Sequence, residues 1–138
     1  MNKANNKLAF VKDGKVEEIF QVATGKSNEL TPEGRFKFVV RAKNPYYRKK
    51  NIPGGDPRNP LGSRWIGFDA NGTDGRIFGV HGTNQPWSIG KYISNGCIRM
   101  KNSDVERLYE KIPLQSEIIV TMSAKSFVAL AKEYGAIK

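Results

Sequence analysis

The residues best suited to covalent chemistry are a single histidine, His81, and a single cysteine, Cys97, sixteen positions apart. A cysteine attacks a carbonyl as the thiolate, and a free thiol is only about 3 % ionised at neutral pH. An imidazole beside the thiol can take its proton and later give that proton to a departing amine. The pair therefore supplies a nucleophile and a general base for acyl transfer.

Both residues also have a structural interpretation, because lone cysteines are most often buried and lone histidines are most often structural or exposed. Their neighbours favour chemistry. Gly96 would leave backbone N–H groups open to a developing oxyanion. Arg99 would place a cation near the sulfur, where it could lower the pKa of the thiol or bind a carboxylate. A surface salt bridge is the alternative for Arg99.

Four further residues of this segment have predicted roles. No acidic residue lies between positions 80 and 100, so we expect the carbonyl of Gly82 to accept from the imidazole and fix its tautomer. Ser94 lacks the G-x-S-x-G context of a serine nucleophile and is assigned to hydrogen bonding around the site. Trp87 and Tyr92 are assigned first to packing, with substrate contact as the alternative.

Several segments resemble the YkuD-like L,D-transpeptidases. The matching segments are H-G-T at 81–83, S-N-G-C-I-R-M at 94–100, N-x-D-V-x-x-L at 102–108, G-K-S-N-E-L-T-P-E-G-R-F at 25–36 and R-W-I-G-F at 64–68. Many members of that family have a histidine where Asn95 stands, so any role of a second imidazole is absent here. The resemblance covers nearly the whole chain.

This resemblance implies a reaction on peptidoglycan. Cys97 would attack the bond between an L-centre, such as that of meso-diaminopimelate, and D-Ala in a tetrapeptide stem. His81 would protonate the departing D-Ala, and an acceptor amine would then complete a 3→3 cross-link. Carbapenem β-lactams are implied as inhibitors. Binding or oxyanion roles fall to Gly96, Arg99, Ser94, Asn95, Tyr92 and Trp87. The alternatives are an L,D-carboxypeptidase or other cysteine peptidase without transfer, and a non-catalytic wall-binding module.

Composition narrows the class of protein. The chain has 138 residues, a length that suits one domain. Its formal net charge of +10 predicts attraction to a polyanion, which could be nucleic acid, anionic lipid or an acidic wall polymer. No nucleic-acid-binding motif is evident, and no apolar run approaches the roughly 18 residues of a membrane span. One histidine and one cysteine cannot complete a zinc site, so we expect no metal. We also expect no cofactor and a monomer.

No signal peptide precedes the first apolar residues. That fits either the mature part of an exported protein or a protein that is not exported. The family resemblance implies export, and hence the cell wall or periplasm.

Hydrophobic patterning predicts a mostly β domain, a sandwich or partly open barrel with one helix beside the cysteine loop and a C-terminal helix. The resemblance implies the same YkuD-like fold. The predicted strands are 8–11, 16–22, 35–41, 64–68, 76–80 and 118–122, and the predicted helices are 105–112 and 126–134. Asp13-Gly14 predicts a tight hairpin turn. Ser103 and Glu106 form a capping box, with Asn102 as another helix cap.

The longest irregular segment, 43–62, is rich in proline and glycine. Its entry, 41–50, carries five cations together with Tyr46 and Tyr47. Two interpretations of this segment are equally open. It could be a solvated, flexible loop, or it could be a flap over the cleft that contacts anionic or sugar-bearing substrate. A nucleic-acid patch is the weakest alternative.

Overall fold

The computed structural model describes residues 1–27 and 30–137. Within them the chain forms nine β-strands and two α-helices. The strands are β1 (Lys7–Lys12), β2 (Lys15–Gln21), β3 (Thr24–Gly25), β4 (Gly34–Lys43), β5 (Arg64–Phe68), β6 (Phe78–His81), β7 (Tyr92–Ser94), β8 (Ile98–Arg99) and β9 (Glu117–Val120). The helices are α1 (Asn102–Lys111) and α2 (Phe127–Glu133). The six predicted strands and both predicted helices are present.

A five-stranded sheet in the order β8-β6-β5-β4-β9 forms the centre of the domain. Strands β6 and β8 are parallel, and the other neighbours are antiparallel. The first half of β4 pairs with β9 and the second half pairs with β5, with a register shift after Phe38. A strand shared in this way bends the sheet into a half-barrel. The predicted mostly β, partly open architecture is confirmed.

A separate hairpin, β1–β2, flanks this sheet. Its turn residues Asp13 and Gly14 both have positive φ, 52° and 76°. Two positive φ values in succession are typical of the type I′ turn that joins twisted strands. The hairpin predicted from Asp-Gly is therefore confirmed.

The hydrophobic core lies between the sheet, the hairpin and α1. Its buried members include Phe20, Val22, Phe38, Ile66, Phe68, Val80, Ile98, Met100, Val105, Leu108, Tyr109, Ile118 and Val120. Helix α1 contributes Val105, Leu108 and Tyr109, as its predicted apolar stripe requires. The predicted capping box is wrong: Lys101 precedes the helix without a side-chain cap, and the Glu106 carboxylate instead accepts from Ser63 Oγ at 2.7 Å.

Strand β3 lies in a segment rich in polar residues. It pairs in parallel with β7, and Thr24 is 1 % exposed. The Thr24 hydroxyl donates to Asn6 Oδ1 at 2.6 Å. Because its polar group is hydrogen-bonded internally, a threonine can be buried where sequence patterning favours solvent.

The long segment 43–62 follows a path held by one buried side chain. The amide of Asn59 donates to the carbonyls of Pro45 and Pro53, at 2.8 and 3.2 Å, and its Oδ1 accepts from the Leu61 N–H at 2.9 Å. A short 3₁₀ turn at Arg48–Lys50 carries three exposed cations. The loop is thus an internally bonded structure that presents positive charge.

Candidate active site

Two neighbouring strands bring His81 and Cys97 to one edge of the sheet. His81 is the last residue of β6, and β8 begins directly after Cys97. His81 pairs with Arg99 in the parallel register, so Cys97 lies beside Gly79. Paired residues of adjacent strands share a face, and the thiol, the imidazole and the Arg99 side chain therefore lie on the same side. The thiol donates to the Ile77 carbonyl at 3.3 Å.

His81 is buried and its ring orientation is fixed. Its Nδ1–H donates to the Gly82 carbonyl at 2.5 Å, which leaves Nε2 with the lone pair of a neutral imidazole. Burial lowers the pKa of His81 to about 4, assisted by the charge of Arg99 and opposed by hydrogen bonds to the backbone of Gly82 and Leu61. The imidazole is therefore neutral at pH 7 and able to accept a proton.

Trp65 forms a wall of this site that sequence reasoning missed. Its ring stacks on His81, with centroids 5.6 Å apart and planes 17° from parallel, and its Nε1–H donates to the Gly75 carbonyl at 2.8 Å. Trp65 pairs with His81 and Gly67 pairs with Gly79 in the β5–β6 register. A Cβ on Gly79 would lie 2.6 Å from the indole, and one on Gly67 would lie 2.8 Å from Nε1. The sequence signal for this packing is a pair of glycines, one in R-W-I-G-F and one in F-G-V-H, which face each other on adjacent strands and leave space for the Trp65 indole.

The electrostatics of Cys97 differ from the expectation. Burial raises the pKa of the thiol, and this outweighs the lowering by the Gly79 N–H and by the charges of Lys49 and Arg99. Arg99 lowers the pKa of the thiol as predicted, but burial raises that pKa by more. The thiol is therefore protonated at neutral pH.

The backbone around the nucleophile also differs from the expectation. The Gly96 N–H donates to Ser94 Oγ at 3.1 Å, and that hydroxyl donates to the Cys97 carbonyl at 2.7 Å. The Gly96 N–H is thus engaged and is not an open oxyanion donor. The Cys97 N–H has no acceptor among the residues that the structure describes. Gly96 is required for another reason, since its φ is 136° and a Cβ would lie 2.6 Å from the Leu30 carbonyl oxygen.

The remaining predicted residues surround this centre. Arg99 Nη1 donates to Gln85 Oε1 at 3.2 Å, and no ion pair holds Arg99 within residues 1–27 and 30–137. Trp87 is 58 % exposed, so its predicted packing role is wrong. Tyr92 is partly exposed and its hydroxyl donates to the Lys3 carbonyl at 2.5 Å. Asn95 is exposed.

Asn102 does not cap α1, which corrects a second helix-capping prediction. Its Oδ1 accepts from the N–H groups of Ser63 and Thr83, both at 3.2 Å. A Cβ on Gly62 or Gly82 would lie 2.3 or 2.0 Å from this oxygen. Asn102 therefore ties the end of the long segment to the backbone that carries the Gly82 carbonyl.

An open cleft of about 640 Å³ adjoins this tie. It is bounded by Asn59 and Gly62 of the long segment, by Thr83 and Asn84, and by residues 101–103. Among the described residues, neither His81 nor Cys97 lines this cleft.

Residues 1–27 and 30–137 contain no group of three His, Cys, Asp or Glu side chains able to hold a metal. No helix among them is long and apolar enough to cross a bilayer.

The relatives found by comparison with known proteins are L,D-transpeptidases. A family model described as YkuD, the L,D-transpeptidase catalytic domain, matches residues 1–120. The chain is 56 % identical over 137 residues to the putative L,D-transpeptidase YqjB of Bacillus subtilis, covering 99 % of this chain and 78 % of that protein.

Solved structures show the same fold. The Ldtfm–avibactam carbamoyl enzyme superposes with a TM-score of 0.69 at 24 % identity, over 88 % of this chain and 47 % of that one. The catalytic domain of the Enterococcus faecium L,D-transpeptidase acylated by ertapenem gives a TM-score of 0.61 at 23 % identity, over 84 % and 89 % of the two chains. The chain thus spans about half of the first structure and most of the second.

Proposed function

Because the chain belongs to the YkuD family of L,D-transpeptidase catalytic domains, we propose that it forms a single catalytic domain that transfers peptidoglycan stem peptides through a thioester on Cys97. The observation that carries this proposal is the strand register that sets Cys97 beside Gly79 and on the face of His81. Neutral His81, oriented through Nδ1 by the Gly82 carbonyl, is the general base.

The first half-reaction forms the acyl-enzyme. Sγ of Cys97 bonds to the carbonyl carbon that joins the third stem residue to D-Ala, and the thiol proton passes to His81 Nε2. The oxyanion accepts a hydrogen bond from the Cys97 N–H, and a donor of this kind contributes about 3 kcal/mol in comparable sites. Collapse breaks the C–N bond, the imidazolium gives its proton to the departing amine, and D-Ala leaves.

The second half-reaction releases the enzyme. An amine of another stem attacks the thioester carbon and gives its proton to His81. The C–S bond then breaks, Cys97 recovers a proton from the imidazolium, and a 3→3 cross-link remains. Water in place of the amine would give a carboxypeptidase.

The resting charges support a coupled proton transfer. The thiol and the imidazole are both neutral in the free enzyme, because burial disfavours each charged form. Transfer of the proton is therefore expected to accompany attack on the carbonyl. The charges of Arg99 and Lys49 lower the pKa of the thiol and stabilise the sulfur as it becomes negative.

The same cations suit a substrate rich in carboxylates. Arg99 is proposed to bind a carboxylate of the donor stem, because no acidic side chain pairs with it in the described residues. The exposed side chains Asn95, Tyr92 and Trp87 are proposed substrate contacts. A peptidoglycan substrate places the protein outside the cytoplasmic membrane.

Intact-protein mass spectrometry tests the acyl-enzyme. Incubation with ertapenem, which acylates the E. faecium relative, should give one adduct that maps to Cys97, and the Cys97→Ala variant should give none. Absence of an adduct on the folded wild-type protein would favour a non-catalytic wall-binding module. Tetrapeptide supplied with and without an amine acceptor separates transfer from hydrolysis, since transfer alone yields a cross-linked product.

A further inference from the structure

A buried hydroxyl from a distant loop holds the peptide bond that precedes the nucleophile. Thr31 is 1 % exposed, and its Oγ1 donates to the Gly96 carbonyl at 2.9 Å. The same oxygen accepts the Gly25 N–H at 3.0 Å. Because the hydroxyl proton cannot point at the Gly25 N–H, it is directed to Gly96, and the orientation of the group is fixed.

The Gly96 carbonyl and the Cys97 N–H belong to one peptide plane. In a trans peptide the oxygen and the N–H point in opposite directions, so a bond that fixes one direction fixes the other. A donor on the carbonyl also polarises the amide and strengthens its N–H as a donor. Since Ser94 engages the Gly96 N–H, the Cys97 N–H is the main-chain donor left at the nucleophile.

We infer that Thr31 is a positioning residue for this reaction, which orients and polarises the Gly96–Cys97 peptide so that the Cys97 N–H can receive the oxyanion. This inference rests on the proposed acyl transfer at Cys97. Thr31 touches neither sulfur nor substrate in this scheme, and it acts through the peptide alone.

The main chain of Thr31 is itself anchored. The buried ammonium of Lys3 donates to the Thr31 carbonyl at 2.9 Å and lies 3.1 Å from the Glu33 carboxylate. Lys3 is 3 % exposed, and its own carbonyl accepts from the hydroxyl of Tyr92. The N-terminal segment is therefore bonded both to Thr31 and to β7, the strand that leads to Gly96.

The test compares two reactions of the same thiol. Acylation by ertapenem passes through an oxyanion, whereas alkylation by iodoacetamide displaces iodide at carbon and forms none. Thr31→Val removes the hydroxyl at nearly constant shape and should slow acylation about 10-fold or more, with alkylation within about 2-fold. Thr31→Ser retains the hydroxyl and should stay within about 3-fold in both reactions.

Thr24→Val is the control for loss of a buried threonine hydroxyl. Thr24 is equally buried, and its hydroxyl makes one hydrogen bond, to Asn6 Oδ1, where the Thr31 hydroxyl makes two. Among the described residues no hydrogen bond joins the Thr24 hydroxyl to Gly96. We expect both rates to stay within about 2-fold of wild type. Thr31→Ala provides a second hydroxyl-free variant, and thermal melting establishes that each protein is folded.

Two outcomes would overturn the inference alone. Acylation of both hydroxyl-free variants at the wild-type rate would show that the hydroxyl does not matter, and an equal loss of acylation and alkylation would show a general disturbance of Cys97. A wild-type thiol that is alkylated but never acylated would refute the proposed function instead, and the inference with it.

Discussion

The ionisation of His81 gives a prediction that can be followed by stability, by spectroscopy and by rate. Burial lowers the pKa of the folded imidazole from 6.5 to about 4, which corresponds to about 3 kcal/mol at about 1.4 kcal/mol per pKa unit. The unfolded chain binds a proton below pH 6.5, while the folded chain stays neutral until about pH 4. This contribution to stability is therefore full above pH 6.5 and is lost progressively as the pH falls to about 4.

Urea denaturation of wild type and His81→Gln between pH 4 and pH 7 measures this contribution. Glutamine does not titrate, so the wild type should lose about 3 kcal/mol more than the variant across that range. The buried α-amino group of Met1, whose pKa burial lowers to about 5, titrates in both proteins and cancels in the difference. Equal pH dependence of the two proteins would refute a neutral, buried imidazole.

Two further observables follow from the same group. His81 is the single histidine of the chain, so its imidazole resonances need no assignment, and they should titrate near pH 4. Acylation by ertapenem should not decline between pH 7 and pH 5 through loss of the base, because His81 stays neutral there. A resonance titrating near 6.5 would contradict the reasoning.

Three other predictions concern the groups around the pair. Trp65→Leu should raise the pKa of His81 toward 6.5, because the indole shields one face of the ring, and histidine NMR would register the shift. Gly79→Ala should destabilise the fold by about 1–3 kcal/mol in urea, because the new Cβ overlaps the indole. Asn102→Ala should cost about 1 kcal/mol, because it removes two hydrogen bonds at a position that is exposed to water, with the equally exposed neighbour Ser103→Ala as its control; equal stabilities would remove Asn102 from its bridging role.

Local patterns predicted the parts of the structure that depend on local physics. The Asp13-Gly14 turn follows from backbone preference, and the α1 stripe follows from helical periodicity. The roles of His81 and Cys97 were predicted from residue chemistry, since few side chains perform acyl transfer, and they stay a prediction. The bridge from Asn102 to Ser63 joins residues 39 apart, and the Thr31 bond to Gly96 joins residues 65 apart. No local pattern encodes contacts of that range.

The glycines show why the finer geometry escaped sequence reasoning. A glycine beside a reactive residue suggests an open backbone, and Gly96 was interpreted in that way. In the structure a Cβ on Gly96 would meet the Leu30 carbonyl, and one on Gly82 would meet Asn102. Gly79 likewise seats Trp65. These positions admit neighbouring protein groups, which pack against the backbone that carries Cys97 and His81. Enlarging a glycine at this site should therefore disturb the positions of Cys97 and His81 before it blocks a ligand.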